Sequence, residues 1–174
     1  MIVSFKGKTP VIANSAYVSP SASVIGDVFI DEDCSVWPGA VIRADLGRIT
    51  IGKDSVVEDN CVIHTGSPGT IYCDISIGNN VHIGHGAMIN CKAIGNNVLI
   101  GMNSTLLHDV VVEDFCIIGA NCLVTEGMKI PERSFIVGVP GKIRRSLTEK
   151  QTFWFTQASA IYKDLAKEYK EQGI

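Results

Sequence analysis

Aliphatic residues recur every six positions along most of this chain, and that spacing leaves few folds open. The series runs Ile12, Val18, Val24, Ile30, Val36 and Ile42. It resumes after a short insertion at Ile51, Val57 and Ile63, and after a longer one at Ile77, Ile83 and Ile89. A one-residue deletion resets it to Ile94, Ile100, Leu106, Val112, Ile118, Val124, Ile130 and Ile136. Such a period matches neither the helical repeat nor the alternation of a long strand. It fits a short strand plus a turn, three of which close one triangular coil. Coils then stack about 4.8 Å apart through parallel strand hydrogen bonds.

In this frame the bulky anchor points inward. Four residues after an anchor the position is often small, as at Ala22, Cys34, Ala40, Cys61, Ala87, Ser104, Cys116 and Cys122, where the next corner crowds the interior. Glycine often follows an anchor directly (Gly52, Gly78, Gly84, Gly101). The pairs Asn79–Asn80 and Asn96–Asn97 suit corners with left-handed backbone angles. The expected architecture is an all-β solenoid of hexapeptide repeats over 12–141. A lead-in strand precedes it over 1–11, and a linker and C-terminal α-helix follow over 142–174. Thr148 and Gln151 form a capping box for that helix. Trp154, Ala158, Ile161, Leu165 and Tyr169 make an apolar stripe expected to pack along the outside of the stack.

Composition agrees with an aliphatic core: 46% of residues are hydrophobic but only 7% aromatic. The net charge of −3, without a basic block, argues against nucleic acid and anionic membrane surfaces as partners. No apolar run approaches the length of a membrane span, and the first residues carry no apolar signal region, so a soluble, cytoplasmic protein is expected. Cys34, Cys61, Cys116 and Cys122 occupy the small inward slot, where packing is their expected role. Cys73 falls in an insertion, and Cys91 at a corner.

Stacking also says which residues are neighbours. Ile42, Ile63, Ile89 and Leu106 anchor one face on successive coils, so Arg43, His64, Asn90 and Leu107 form a column beside it. The preceding face is anchored by Val36, Val57, Ile83 and Ile100, and there Asp59 and His85 share the third position of their units. His64 and His85 therefore lie on different edges of one prism and meet only when a second copy packs beside the first. Three copies around a threefold axis would form three such sites. His82 takes the sixth position of its unit and is expected to point out from a flat face as a bystander.

The segments "SVWPGAVIRAD", "VEDNCVIH", "NVHIGHGAMIN", "GMNSTLL" and "IVGVPGK" resemble the γ-class carbonic anhydrase family, over nearly the whole chain. The resemblance implies a left-handed parallel β-helix with the C-terminal helix packed along it. It also implies a homotrimer with zinc, or ferrous iron or cobalt, held between subunits on three histidines. His64 matches the first ligand and His85 the one supplied across the interface; the third position is Asn90. An amide is a weaker, harder donor than imidazole, so reduced metal affinity and slow or absent turnover are expected. Cys91 and His108 are the neighbours placed to compensate. Arg43 and Asp45 match the arginine–acid pair that ties the trimer interface. Asp59 matches an acid that orients His85, and Glu58 stands where the family has a glutamine near the metal water. A carboxylate there would hold or deprotonate that water, or approach the metal itself. "TGSPGTIYCDIS" holds only Asp74 in place of the acidic proton-shuttle loop of the most active members.

Carbon dioxide hydration is the leading expectation. The alternative is coenzyme A-dependent acyl transfer between trimer subunits, with His82, His85 or His108 as general base. A third reading is a non-catalytic trimer.

Overall fold

A computed structural model describes residues 1–66, 74–147 and 149–174, with side chains among them other than those of 145–146 and 149–158. Short strands alternate with turns to build a left-handed parallel β-helix of about seven coils, closed by one α-helix, Glu149–Gln172. All the expected anchors but Ile12 and Val18 are buried. They stack in register: Val36 pairs with Val57, Val57 with Ile83, Ile83 with Ile100 and Ile100 with Ile118 on one face. On the next face Ile42 pairs with Ile63, Ile63 with Ile89 and Ile89 with Leu106. Two longer strands, Ser23–Ile30 and Val41–Ile51, run around a corner, and the short insertion after Ile42 lies within the second.

The small inward residues do more than leave room. Ser55 Oγ donates to the Gly78 carbonyl at 3.0 Å, and the Cys34 and Cys61 thiols meet the Gly52 and Gly84 carbonyls at 3.0 and 3.1 Å. The Gly78 and Gly52 carbonyls take no backbone donor among the described residues, so the Ser55 hydroxyl and Cys34 thiol satisfy acceptors of the neighbouring coil; the Cys61 thiol adds to the bond that Gly84 O already takes from Ala87 N. Corners are held by a second ladder. The Asn79 Oδ1 accepts from Lys53 N, the Asn96 Oδ1 from Asn79 N, and the Asp114 Oδ1 from Asn96 N, at 2.7–2.9 Å. Asn80 and Asn97, the second members of the pairs, adopt φ of 54° and 56°. Glycine after an anchor reflects how closely coils approach: a Cβ on Gly101 would lie 2.4 Å from Ala120 N.

Two expectations are corrected. Cys91 is 2% exposed and belongs to the core; burial pushes its thiol up to about 12. The one-residue deletion shortens this corner and draws Cys91 into the interior in place of Ala93, which is only half-buried. The helix face also differs. Tyr162, Leu165, Ala166 and Tyr169 pack on Tyr17, Trp37 and Val56, whereas Ile161 is 62% exposed. Leu165 and Tyr169 of the expected stripe thus do pack on the coils, joined by Tyr162 and Ala166, and Ile161 does not. Thr148 lies outside the described residues, as do Cys73, the side chains of Gln151, Trp154 and Ala158, and most of the second insertion. Among the described residues no helix is long and apolar enough to cross a membrane.

Candidate metal centre

Arg43 and His64 are register partners on adjacent coils. Arg43 Nη1 contacts Asp45 Oδ2, and Asp45 Oδ1 lies 3.0 Å from His64 Nε2, so one carboxylate joins the guanidinium to the imidazole. Burial raises the Asp45 carboxyl, but hydrogen bonds from His64 and Arg43 outweigh it and hold it below the ordinary carboxylate range. One coil further on, Asn90 Nδ2 donates to the His64 carbonyl. That bond fixes the amide, and its Oδ1 accepts no hydrogen bond among the described residues. Both side chains line a cleft of about 380 Å³, walled by Arg43, Val62, Met88, Thr105 and Leu107. The face beside it presents Val41, Val62, Met88, Thr105 and Leu123, because inward anchors leave their strand neighbours pointing out. Met88 is 46% exposed.

His85 stands on the other edge of that face. Its Nδ1 is 2.9 Å from Asp59 Oδ2 and its Nε2 3.1 Å from Glu58 Oε2. Glu58 itself is buried, with 6% of its side chain exposed. Oε1 accepts from His82 Nε2 at 2.6 Å and from the Tyr162 hydroxyl of the C-terminal helix, while Oε2 accepts from His85 N at 2.7 Å. Burial pushes the Glu58 carboxyl up, yet the bonds from His82 and Tyr162 prevail and lower it, so the group is an anion at neutral pH. Burial and the adjacent Glu58 charge raise the Tyr162 phenol.

His82 is therefore not the outward bystander expected. It does leave the coil on the flat face, but the helix covers that face. The imidazole is 11% exposed, meets the Tyr162 ring edge-on at 4.9 Å, and serves Glu58. Its Nδ1 is buried without a partner among the described residues. Tyr162 escaped sequence reasoning altogether. The available signal was the outward row of Tyr17, Trp37 and Val56 on the same face, too apolar for a solvated wall. His108 is exposed and is absent from the cleft lining. Neither it nor the buried Cys91 joins His64 and Asn90. Within one chain no three described His, Cys, Asp or Glu side chains converge as a metal-binding group; His64 and His85 keep to separate edges with separate partners.

Residues 93–126 match the family model described as bacterial transferase hexapeptide (six repeats). The chain is 35% identical to γ carbonic anhydrase 1, mitochondrial, of Arabidopsis thaliana over 169 residues, covering 95% of this chain and 61% of that protein. It thus spans about three fifths of that plant relative's length. It is 32% identical to the carnitine operon protein CaiE of Escherichia coli strain K12 over 163 residues, 92% of this chain and 80% of that one. Among solved structures it superposes on a hexapeptide transferase family protein from Anaplasma phagocytophilum with a TM-score of 0.89, 31% identity and 97% coverage of both chains. For a putative acetyltransferase from Bacillus cereus the values are 0.81 and 31%, with 98% and 97% coverage. With coils, corners and covering helix matched over nearly its full length, the chain belongs to the γ-class carbonic anhydrase-like family of hexapeptide-repeat, left-handed β-helix proteins.

Proposed function

We propose that the chain works as a homotrimer whose clefts between subunits hold a divalent metal, zinc first, and hydrate carbon dioxide slowly. One observation carries the reading. His64 with Asn90 and His85 with Asp59 flank the two edges of a single, largely aliphatic face, so a copy packed against that face brings the two sets together. The donors suit a borderline ion: two imidazoles and an amide oxygen left free by the bond from Nδ2 to His64 O. When bound, the metal supplies the Lewis acidity that makes hydroxide available near neutral pH.

The chain's own residues do the rest. Asp45 holds His64 in place through Nε2 and is itself tied to Arg43. Asp59 holds His85 through Nδ1 and directs Nε2 to the site. Val62, Met88 and Leu107 give a small apolar substrate a dry wall. Turnover is slow because Asn90 replaces a third imidazole with a weaker donor. The test is equilibrium dialysis against zinc at neutral pH, with mass by light scattering and stopped-flow carbon dioxide hydration. One metal per subunit in a trimer, with measurable hydration, supports the reading; a monomer, or a trimer that takes up no metal, sinks it.

Acyl transfer is the second reading, favoured by the names of the two superposed structures. His82, enclosed between Glu58 and Tyr162, is removed as its base, which leaves His85 and His108. A rise in melting temperature with coenzyme A and none with zinc would favour this reading.

A further inference from the structure

Resting on the metal reading above, we propose that Glu58 is itself a metal donor, replacing the imidazole that Asn90 lacks. The site would then be a two-histidine, one-carboxylate centre with Asn90 in a supporting place. An ionised carboxylate offers about four acceptor positions. Three are taken: His82 Nε2 and the Tyr162 hydroxyl on Oε1, and the His85 backbone N–H on Oε2. The fourth, on Oε2, takes no hydrogen bond among the described residues, and Oε2 is the oxygen 3.1 Å from His85 Nε2.

That separation is informative. Metal bonds of about 2.0–2.2 Å, meeting between a right angle and the tetrahedral angle, set neighbouring donors roughly 2.9–3.5 Å apart. Glu58 Oε2 and His85 Nε2 already stand at the distance two donors to one ion require. Asp59 occupies the other ring nitrogen of His85, the outer contact that metal-binding histidines usually make, and leaves Nε2 to the shared position. His82 and Tyr162 play the same outer part for Glu58, holding Oε1 so that Oε2 faces the imidazole. A carboxylate only passing near the site would not need both oxygens fixed in a 6% exposed position. Two imidazoles and one carboxylate make a recognised catalytic zinc set with an open place.

The chain is titrated with cobalt and with zinc as wild type, Glu58→Gln, Asn90→His and the double variant. Affinity comes from competition with a chelating dye, and coordination from the cobalt visible spectrum and X-ray absorption. The expected result is that Glu58→Gln weakens binding by at least about 100-fold and removes an oxygen donor from the absorption fit. Asn90→His in the Glu58→Gln background restores affinity, which a merely misfolded variant would not do. Unchanged affinity and an unchanged spectrum in Glu58→Gln overturn the proposal, leaving Glu58 to hold water only. Binding by Asn90→His but not by wild type also overturns it, while the trimeric site stands. If neither binds, the metal reading falls and this inference with it.

Discussion

Replacing Tyr162 with phenylalanine deletes one hydroxyl and leaves the ring in place. Its edge-on contacts with Trp37 at 5.4 Å and His82 at 4.9 Å survive, and so does the burial that anchors the helix. What is lost is a donor to Glu58 Oε1, an ionised oxygen enclosed by the helix. A hydrogen bond to a charged group contributes about 1.5–3 kcal/mol. With an unfolding entropy of about 2.1 cal/mol/K per residue over 174 residues, that loss lowers Tm by about 4–8 °C. The pH dependence follows from Glu58, whose folded pKa is depressed. Its contribution is fully present above the ordinary carboxyl value of 4.5 and disappears as the pH falls through the lower folded value. Removing the Tyr162 hydroxyl takes away part of that contribution, so the gap between wild type and variant is widest near neutrality and closes in acid. Thermal melts followed by far-UV circular dichroism across this range are the measurement. Equal melting at neutral pH, or a gap that does not narrow as acid protonates the carboxylate in the folded protein, would refute the idea that the helix is tied to the coils through this carboxylate.

Three further outcomes are expected. Met88→Lys puts a charge on the aliphatic face at a half-exposed position, so light scattering should show the proposed trimer dissociating while the far-UV spectrum is kept; a trimer that stays intact would place the interface elsewhere. Gly101→Ala forces a methyl to within 2.4 Å of Ala120 N and should cost about 1–3 kcal/mol in urea unfolding; a neutral effect would show that the coils can separate locally. Native-state alkylation read by mass spectrometry should leave Cys91 unmodified up to pH 9, because its thiol is pushed up to about 12 and sealed in the core; modification there without denaturant would contradict the packing at the shortened corner.

The solenoid was legible because its stabilising contacts are periodic. Each anchor meets its own kind one coil away, so one spacing fixes register, face and inward slot together, down to the column of Arg43, His64 and Asn90. The errors cluster where periodicity ends. Cys91 was misread because a deletion shifts the inward slot by one residue. Ile161 and His82 were misread because nothing in a six-residue frame says which of three faces a helix will cover, or with which of its own sides. That choice is made by non-periodic side chains: Tyr17 and Trp37 on the coils, Tyr162 and Ala166 on the helix. The Glu58–His82–Tyr162 group could be seen only after those surfaces had met.

The same division bears on how a family like this changes its chemistry. Core anchors cannot be exchanged freely, since an altered volume in one coil is felt by the coils above and below. Edge positions such as Asn90 carry less of that burden: its side chain reaches the His64 carbonyl from outside the core and is not packed among the anchors. Glu58 is different, being buried and bonded on both oxygens. A carboxylate placed there costs desolvation that a neutral glutamine would avoid, and the protein offsets it with a histidine, a phenol and a backbone N–H. Such provision for one negative charge beside His85 is hard to account for by fold stability alone, which an apolar or neutral residue would serve as well. It is accounted for if the charge faces a cation, and a second subunit brings His64 to the place where that cation would sit.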